Sequence, residues 1–129
     1  MEKTVISTPN APGAIGPYSQ AIEINGLLFI SGQTPIVHET GKLIEGDIRA
    51  QTKQVMENIG AILAEAGYTF SDVIKSTCLL SDMANFTAFN EVYGAYYPEN
   101  SPARATYGVV KLPLGAMVEI ETIAARELI

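Results

Sequence analysis

Hydrophobic and polar residues follow two different periods along this chain, and the clearest is helical. Between residues 47 and 66, the side chains that return every three or four positions are Ile48, Thr52, Val55, Met56, Ile59, Ile62, Leu63 and Ala66. Asp47 suits an N-cap because its carboxylate accepts backbone N–H bonds, and Gly67 suits the left-handed residue that follows many helices. The segment therefore predicts a long amphipathic helix.

A second stretch with the helical period follows Asp82, a further candidate N-cap. Its large side chains are Met83, Phe86, Phe89, Tyr93 and Tyr96. Because proline cannot continue a helix, Pro98 is expected to end it.

Strand-like segments surround these two helices. Ala21 to Ile24 and Leu27 to Ile30 flank Asn25-Gly26, a dipeptide that accepts positive φ, so they predict a β-hairpin. Val73 to Leu80 is short and rich in apolar or β-branched residues, which is typical of a buried strand.

Two closing strands are expected, Ala103 to Val110 and Met117 to Ala125, joined by the turn-rich segment Lys111 to Gly115. The predicted order is β-β-β-α-β-α-β-β, an α+β fold with a mixed sheet and two helices on one face. The loop Thr8 to Pro17 is rich in Pro, Gly and Ala and is expected to form a pocket wall.

Two of the strands, Leu27 to Ile30 and Val73 to Leu80, are nearly apolar on both faces. Two helices cover only one face of such a sheet, so another surface must cover the other. We expect a second copy of the chain to do this, which predicts a homo-oligomer with sites between subunits.

Length and composition restrict the class of protein. A chain of 129 residues with 47% hydrophobic content fits one domain, residues 1–129. Apolar runs are shorter than the ~18 residues that span a bilayer, and Met1-Glu-Lys-Thr does not resemble a secretion signal. Cys78 is the single cysteine, so no internal disulfide forms. These features predict a cytoplasmic protein with no membrane partner.

The formal net charge of −6 disfavours a nucleic-acid partner, because such binding rests on Lys and Arg contacts to phosphates. His38 is the one histidine, so a metal site would lack the usual ligands, and none is expected. We expect His38 at the surface and Cys78 as a small buried hydrophobe.

The segment Ser101-Pro-Ala-Arg104-Ala-Thr106 carries the clearest candidate for chemistry. A guanidinium matches a carboxylate with two parallel hydrogen bonds, so Arg104 on a strand predicts an acid as the substrate. An interface salt bridge is the alternative. On the last strand, Glu119 and Glu121 share a face, and like charges held close raise at least one carboxyl pKa. A structural ion pair is the alternative for these two.

Several separate motifs together resemble the RidA/YjgF family over nearly the whole chain. They are Gly16-Pro-Tyr-Ser-Gln-Ala21, Phe29-Ile-Ser-Gly-Gln33, Gln54-Val-Met-Glu-Asn58, Asp82-Met to Asn90-Glu-Val-Tyr93, Pro102-Ala-Arg104 and Val118-Glu-Ile-Glu121. The resemblance implies a chorismate-mutase-like subunit, a homotrimer with clefts between subunits, and no cofactor. It also implies hydrolysis of reactive enamine and imine acids, such as 2-aminoacrylate, its tautomer 2-iminopropanoate, or 2-iminobutanoate, to 2-oxo acids and ammonia.

The resemblance further implies roles for particular residues. Arg104 would bind the substrate carboxylate, with the backbone at Gly32 and Thr106 holding other polar groups. Glu119 would hold or activate the attacking water. Tyr18 would close the pocket, and Ser31 and Asn90 would line the cleft.

Two departures from the family pattern concern the pocket. Many relatives have cysteine where Thr106 stands, and some have a longer connection than Tyr97 to Ser101.

Two other functions remain open: an endoribonuclease or translation inhibitor, and a module that binds small carboxylic acids without turnover. Tyr18 also has a packed-aromatic interpretation.

Overall fold

The computed structural model describes residues 1–128. Its regular elements, in chain order, are β1 (Thr4–Ile6), β2 (Ala21–Ile24), β3 (Leu27–Gln33), β4 (Ile36–Val37), β5 (Lys42–Leu43), α1 (Ile48–Ala66), β6 (Val73–Leu80), α2 (Phe86–Ala95), β7 (Ala103–Gly108) and β8 (Val118–Ala125). The predicted α+β order is confirmed for the main sheet, which has three strands before α1.

Six strands form the main sheet in the order β1-β2-β3-β8-β6-β7. Neighbouring strands are antiparallel except β6 and β7, so the sheet is mixed. On β8, Val118, Ile120 and Thr122 are buried and face the helices, and the residues between them face the other way. The core lies between this face and α1, which also packs against α2.

The predicted turn and cap residues have the expected conformations. Asp47 accepts a hydrogen bond from the Ala50 N–H at 3.1 Å, and Gly67 has φ 83°. Asn25 and Gly26 have φ 51° and 79°, as a type I′ turn between β2 and β3 requires. The hairpin and the long helix are therefore confirmed.

Several predicted element boundaries were wrong, and one small hairpin was missed. The second helix begins as a separate 3₁₀ turn at Met83, and α2 itself ends at Ala95, where the Tyr96 N–H turns back to the Tyr93 carbonyl. Pro98 therefore lies beyond the helix end. The strand predicted to reach Val110 stops at Gly108, and the small β4–β5 hairpin was not predicted.

Two buried amide side chains hold the loops beside the sheet. The Gln20 amide accepts from the Thr8 N–H at 2.7 Å and donates to three carbonyls, those of Thr8, Ala11 and Pro12. Asn58 donates to the Thr34 and Ile36 carbonyls. Gln20 therefore fixes the loop at residues 8–17, and Asn58 fixes the segment that leads into β4.

The sheet face away from the helices carries apolar side chains in contact with solvent. Val5 is 60% exposed and Phe29 is 42% exposed, and Ile22 lies between them in register. We call this partly exposed side of the sheet the open sheet face. Within residues 1–128, no helix combines the length and apolarity needed to cross a bilayer.

Candidate functional site

Arg104 lies on β7, at one edge of the sheet. Its register partner on β6 is Ser76, which is buried on the helix face, so the Arg104 side chain extends toward α2. There, Arg104 Nη1 donates to Asn90 Oδ1 at 2.7 Å. The guanidinium carbon also lies 5.2 Å from the centre of the Tyr93 ring and 5.5 Å from that of Phe86.

The guanidinium has no acidic partner among residues 1–128. The ion pairs in this part of the chain are Arg49 with Glu91 and Arg126 with Glu23. Arg104 is nevertheless exposed, and it borders a hollow with Asn90, Ser101 and Pro102. Most of its five N–H donors are therefore available to a ligand.

Thr106 follows Arg104 on the same face of β7, opposite Cys78 on β6. Its buried Oγ1 has no hydrogen-bond partner within residues 1–128. Cys78 is fully buried, as expected, and burial raises the pKa of its thiol to about 12. Cys78 is therefore not a thiolate at neutral pH.

Glu119 lies on β8 opposite Leu79, with its side chain on the open sheet face. Its carboxylate lies so close to Gly32 that a Cβ at that position would collide with Oε2. Burial raises the pKa of Glu119 above its ordinary value, and the charge of Glu121 raises it further. The expected like-charge effect is present, but desolvation is the larger cause.

Tyr18 and Ser31 lie near the Gly32 end of this region. Tyr18 is 51% exposed and shares a hollow with Gly32, Thr34 and the exposed His38. Its hydroxyl accepts from the Ile15 N–H at 3.3 Å, so it can still donate to a ligand.

Ser31 borders a different hollow, on the open sheet face with Thr77 and Glu121. Its hydroxyl donates to the Ser19 carbonyl at 2.6 Å, which uses its one proton. Ser31 is thus able to accept from a ligand but not to donate to it.

The seven candidate residues therefore form two groups in one chain. Arg104, Asn90 and Thr106 lie on the helix face at the β7 edge, and Glu119, Gly32, Tyr18 and Ser31 lie around the β3 and β8 strands. Strand β6 separates β7 from β8, so the two groups are about 10 Å apart or more, on opposite faces. Arg104 and the two glutamates of β8 therefore do not meet within a single chain.

Sequence reasoning missed the supports of these residues. Phe86 and Tyr93 were assigned to a helix stripe, but not to contact with Arg104. Their helical spacing with Asn90 was the available signal. Gln20 ends the Gly-Pro-Tyr-Ser-Gln motif, and nothing in its sequence context indicated four hydrogen bonds to the preceding loop.

Comparison with known proteins places this geometry in a family. The family model described as Endoribonuclease L-PSP matches residues 8–126. A RutC family protein of Pyrococcus horikoshii is 54% identical over 97% of this chain and 99% of its own. The human 2-iminobutanoate/2-iminopropanoate deaminase is 46% identical over 95% of this chain and 89% of its own.

A solved structure of a Rid family protein, YyfA of Yersinia pestis, has the same fold. It superposes with a TM-score of 0.94 at 49% identity, over 97% of this chain and 100% of its own, and it is described as a protein of unknown function. With the motif match, these similarities show that the chain belongs to the endoribonuclease L-PSP family, also called the YjgF/RidA family.

Proposed function

We propose that this protein hydrolyses small imine and enamine acids, 2-aminoacrylate with its tautomer 2-iminopropanoate and 2-iminobutanoate, to 2-oxo acids and ammonia. The observation that carries the proposal is the Arg104 guanidinium, which is exposed, held by Asn90 and unpaired with any carboxylate of residues 1–128. A fixed cation with free donors suits a ligand that brings its own carboxylate.

In this proposal the substrate carboxylate lies against Arg104 and the imine carbon lies toward Glu119. Backbone groups at Gly32 and Thr106 hold the remaining polar atoms of the substrate. Tyr18 and Ser31 border the reacting end, where Tyr18 donates and Ser31 accepts. The imine carbon is already electrophilic, so the reaction needs no protein nucleophile. Holding the substrate and the water in the right geometry is then enough to lower the activation barrier.

The reaction needs one water and two proton movements. For the imine tautomer, Glu119 accepts a proton from the water as the water oxygen bonds to the imine carbon, and it passes this proton to the nitrogen, which becomes an amine. Glu119 then accepts the proton of the new hydroxyl group and passes it to the amine as the C–N bond breaks, so that the carbonyl of the 2-oxo acid forms and ammonia leaves. A pKa raised by burial favours both steps, because the group exchanges protons more readily near neutral pH.

The proposal also includes a homotrimer with its sites between subunits. Two observations support it: the open sheet face carries Val5 and Phe29 in contact with solvent, and the two groups of candidate residues are incomplete in one chain. A second copy packed on that face would bring its own Arg104 group to the Glu119 group of the first. The chorismate-mutase-like arrangement stays part of this proposal.

The names of two relatives support the activity. The human relative is named 2-iminobutanoate/2-iminopropanoate deaminase, and a 49% identical Arabidopsis relative is named Reactive Intermediate Deaminase A. The proposal requires no cofactor, since the chemistry described uses only water and a carboxyl group. Its setting is the cytoplasm, where the lone Cys78 would remain reduced.

A coupled assay tests the activity. A pyridoxal-phosphate dehydratase generates 2-aminoacrylate or 2-iminobutanoate in place, and oxo-acid formation is followed with and without this protein. We expect the protein to accelerate hydrolysis well above the spontaneous rate. No acceleration with imines of one-, two- and four-carbon side chains, that is, of alanine-, butyrine- and leucine-type skeletons, together with measurable 2-oxobutanoate binding, would instead indicate a binding module.

The endoribonuclease alternative has less support. The Tyr18 hollow contains His38 but no lysine or arginine, and the net charge of −6 opposes phosphate binding. Salt-dependent RNA binding by the purified protein would favour that alternative.

A further inference from the structure

Arg104 is in contact with four residues of α2, three of which have no role in the proposed reaction. Phe86, Phe89, Asn90 and Tyr93 recur at helical spacing, and all four face the Arg104 guanidinium. We call these four residues the α2 stripe. Three of them supply aromatic rings, with centres 5.2 to 5.8 Å from the guanidinium carbon.

The α2 stripe has the chemistry needed to orient a guanidinium. Ring faces attract cations within about 6 Å of the ring centre. The fourth residue, Asn90, accepts from Nη1 at 2.7 Å and so fixes the rotation of the planar group. A guanidinium held both ways has fewer orientations to lose when it binds a carboxylate.

Burial differs across the stripe in a way that supports this role. Phe89 and Tyr93 are buried at 0% and 4% exposure, so they belong to the core, whereas Phe86 and Asn90 are only partly buried. Arg104 itself is exposed and has no ion pair within residues 1–128. The rings therefore contact the guanidinium from the inner side and leave its outer donors open to a ligand.

We infer that Phe86 and Asn90 are positioning residues that preset the Arg104 guanidinium for a carboxylate, and that Asn90 acts mainly through Arg104 rather than on the substrate. This inference rests on the proposed function for its turnover readout, but its binding readout does not. It changes the role of Asn90 from a cleft-lining contact to a support of the arginine, because the amide oxygen is already engaged by Nη1.

The first test compares Phe86→Leu with Phe86→Tyr in the full chain. Leucine keeps apolar volume but removes the ring face, and tyrosine keeps the ring. We expect Phe86→Leu to raise the 2-oxobutanoate Kd and the imine KM about tenfold with kcat nearly unchanged, and Phe86→Tyr to leave both constants near wild type. Equal behaviour of the two variants would overturn the inference.

A second test separates positioning from a structural role. Binding of 2-oxobutanoate is compared with binding of 2-oxobutanamide, which lacks the carboxylate. We expect Phe86→Leu and Asn90→Ala to lower the preference for the acid about tenfold, whereas structural damage would weaken both ligands alike.

A double-mutant cycle completes the test. In an Arg104→Gln background, which leaves no cation for the rings to attract and no guanidinium for Asn90 to orient, Phe86→Leu and Asn90→Ala are expected to change acid binding less than twofold. Full effects in that background would show that the two residues act independently of Arg104 and would overturn the inference.

The two proposals fail in different ways. Acid binding that depends on Phe86 and Asn90 without any turnover would remove the deaminase proposal and keep this inference. Turnover that is indifferent to both residues would do the reverse, and a wild-type protein that neither binds the acid nor turns over an imine would overturn both.

Discussion

At the scale of single residues, the site depends on the Arg104 guanidinium and the Glu119 carboxyl, neither of which forms an ion pair within residues 1–128. Arg104 has no carboxylate partner in residues 1–128, and Glu119 has Glu121, a like charge, as its electrostatic neighbour. Each would gain from a ligand or proton that supplies what it lacks. Under the proposed function, both the choice of substrate and the pH dependence would follow from these two side chains.

Replacement of Arg104 is expected to remove substrate binding. Arg104→Ala should lower kcat/KM at least about a hundredfold, since it removes two charge-assisted hydrogen bonds. Arg104→Lys should recover only part of this loss, because an ammonium lacks the planar fork. The coupled assay measures the effect. Arg49→Ala removes an exposed arginine paired with Glu91 and is the control, expected to keep full activity.

Replacement of Glu119 is expected to lower the activity without lowering the stability of the fold. Glu119→Gln should lower kcat about a hundredfold because it removes the proton acceptor. The folded-state pKa of Glu119 lies above its ordinary value of 4.5, so its ionised form opposes folding at higher pH. The variant should therefore be slightly more stable at pH 7, by less than about 1 kcal/mol given solvent screening.

Urea unfolding at several pH values checks this second expectation. The stability difference should shrink as the pH falls through the raised pKa of the folded chain toward 4.5, and it should vanish below 4.5, where the carboxyl is protonated in both the folded and the unfolded chain. A variant less stable than wild type at pH 7 would contradict the assignment of burial as the cause of the shift.

The close approach of Gly32 and Glu119 gives a third prediction at this scale. Gly32→Ala places a methyl group against Glu119 Oε2 and should lower stability by about 1–3 kcal/mol. The double variant Gly32→Ala/Glu119→Ala removes the clash and should recover most of that stability. Thermal unfolding measures both. No recovery in the double variant would mean that the cost arises elsewhere.

At the scale of elements, the sequence predicted correctly those turns and helix ends that depend on a few neighbouring residues. Asn25-Gly26 and the Asp47 and Gly67 ends of α1 were readable because each depends on one or two residues. The side of the sheet on which the Arg104 side chain lies could not be predicted from the sequence. It follows from the parallel register of β6 and β7, which pairs Arg104 with Ser76 and is set by residues distant in sequence.

The conformation of the loop at residues 8–17 could not be predicted either, because it also depends on contacts with a residue outside the loop. Its composition indicated a pocket wall, but its shape depends on Gln20, which binds Thr8, Ala11 and Pro12 across a turn. Such long-range side-chain contacts have no periodic signal. Pro98 was predicted to end the second helix, but α2 ends at Ala95, three residues before the proline.

Gln20 supports an element-scale prediction. Gln20→Ala should lower the free energy of unfolding by about 2–4 kcal/mol, because it leaves buried backbone groups unpaired. Activity should fall as well, since the same loop leads into Tyr18. Urea unfolding and limited proteolysis within residues 8–17 measure the change. The exposed Asn10→Ala, in the same loop, should stay within about 0.5 kcal/mol of wild type.

At the scale of the whole molecule, the open sheet face and the divided site lead to one expectation about assembly. Light scattering of the wild type should give about the mass of three 13.8 kDa chains. Phe29→Glu places a charge on the open sheet face and should yield monomers without activity, whereas Leu128→Glu, at an exposed position near the chain end, should leave the trimer intact. A monomeric, fully active wild type would contradict the account.

The most direct test of the central claim mixes two inactive variants. Arg104→Ala and Glu119→Gln chains are unfolded together in equal amounts, refolded and assayed. If one copy supplies Arg104 and its neighbour supplies Glu119, random assembly should restore about a quarter of wild-type activity, while each variant refolded alone stays inactive. No recovery from a mixture shown to contain hetero-oligomers would contradict a site shared between subunits.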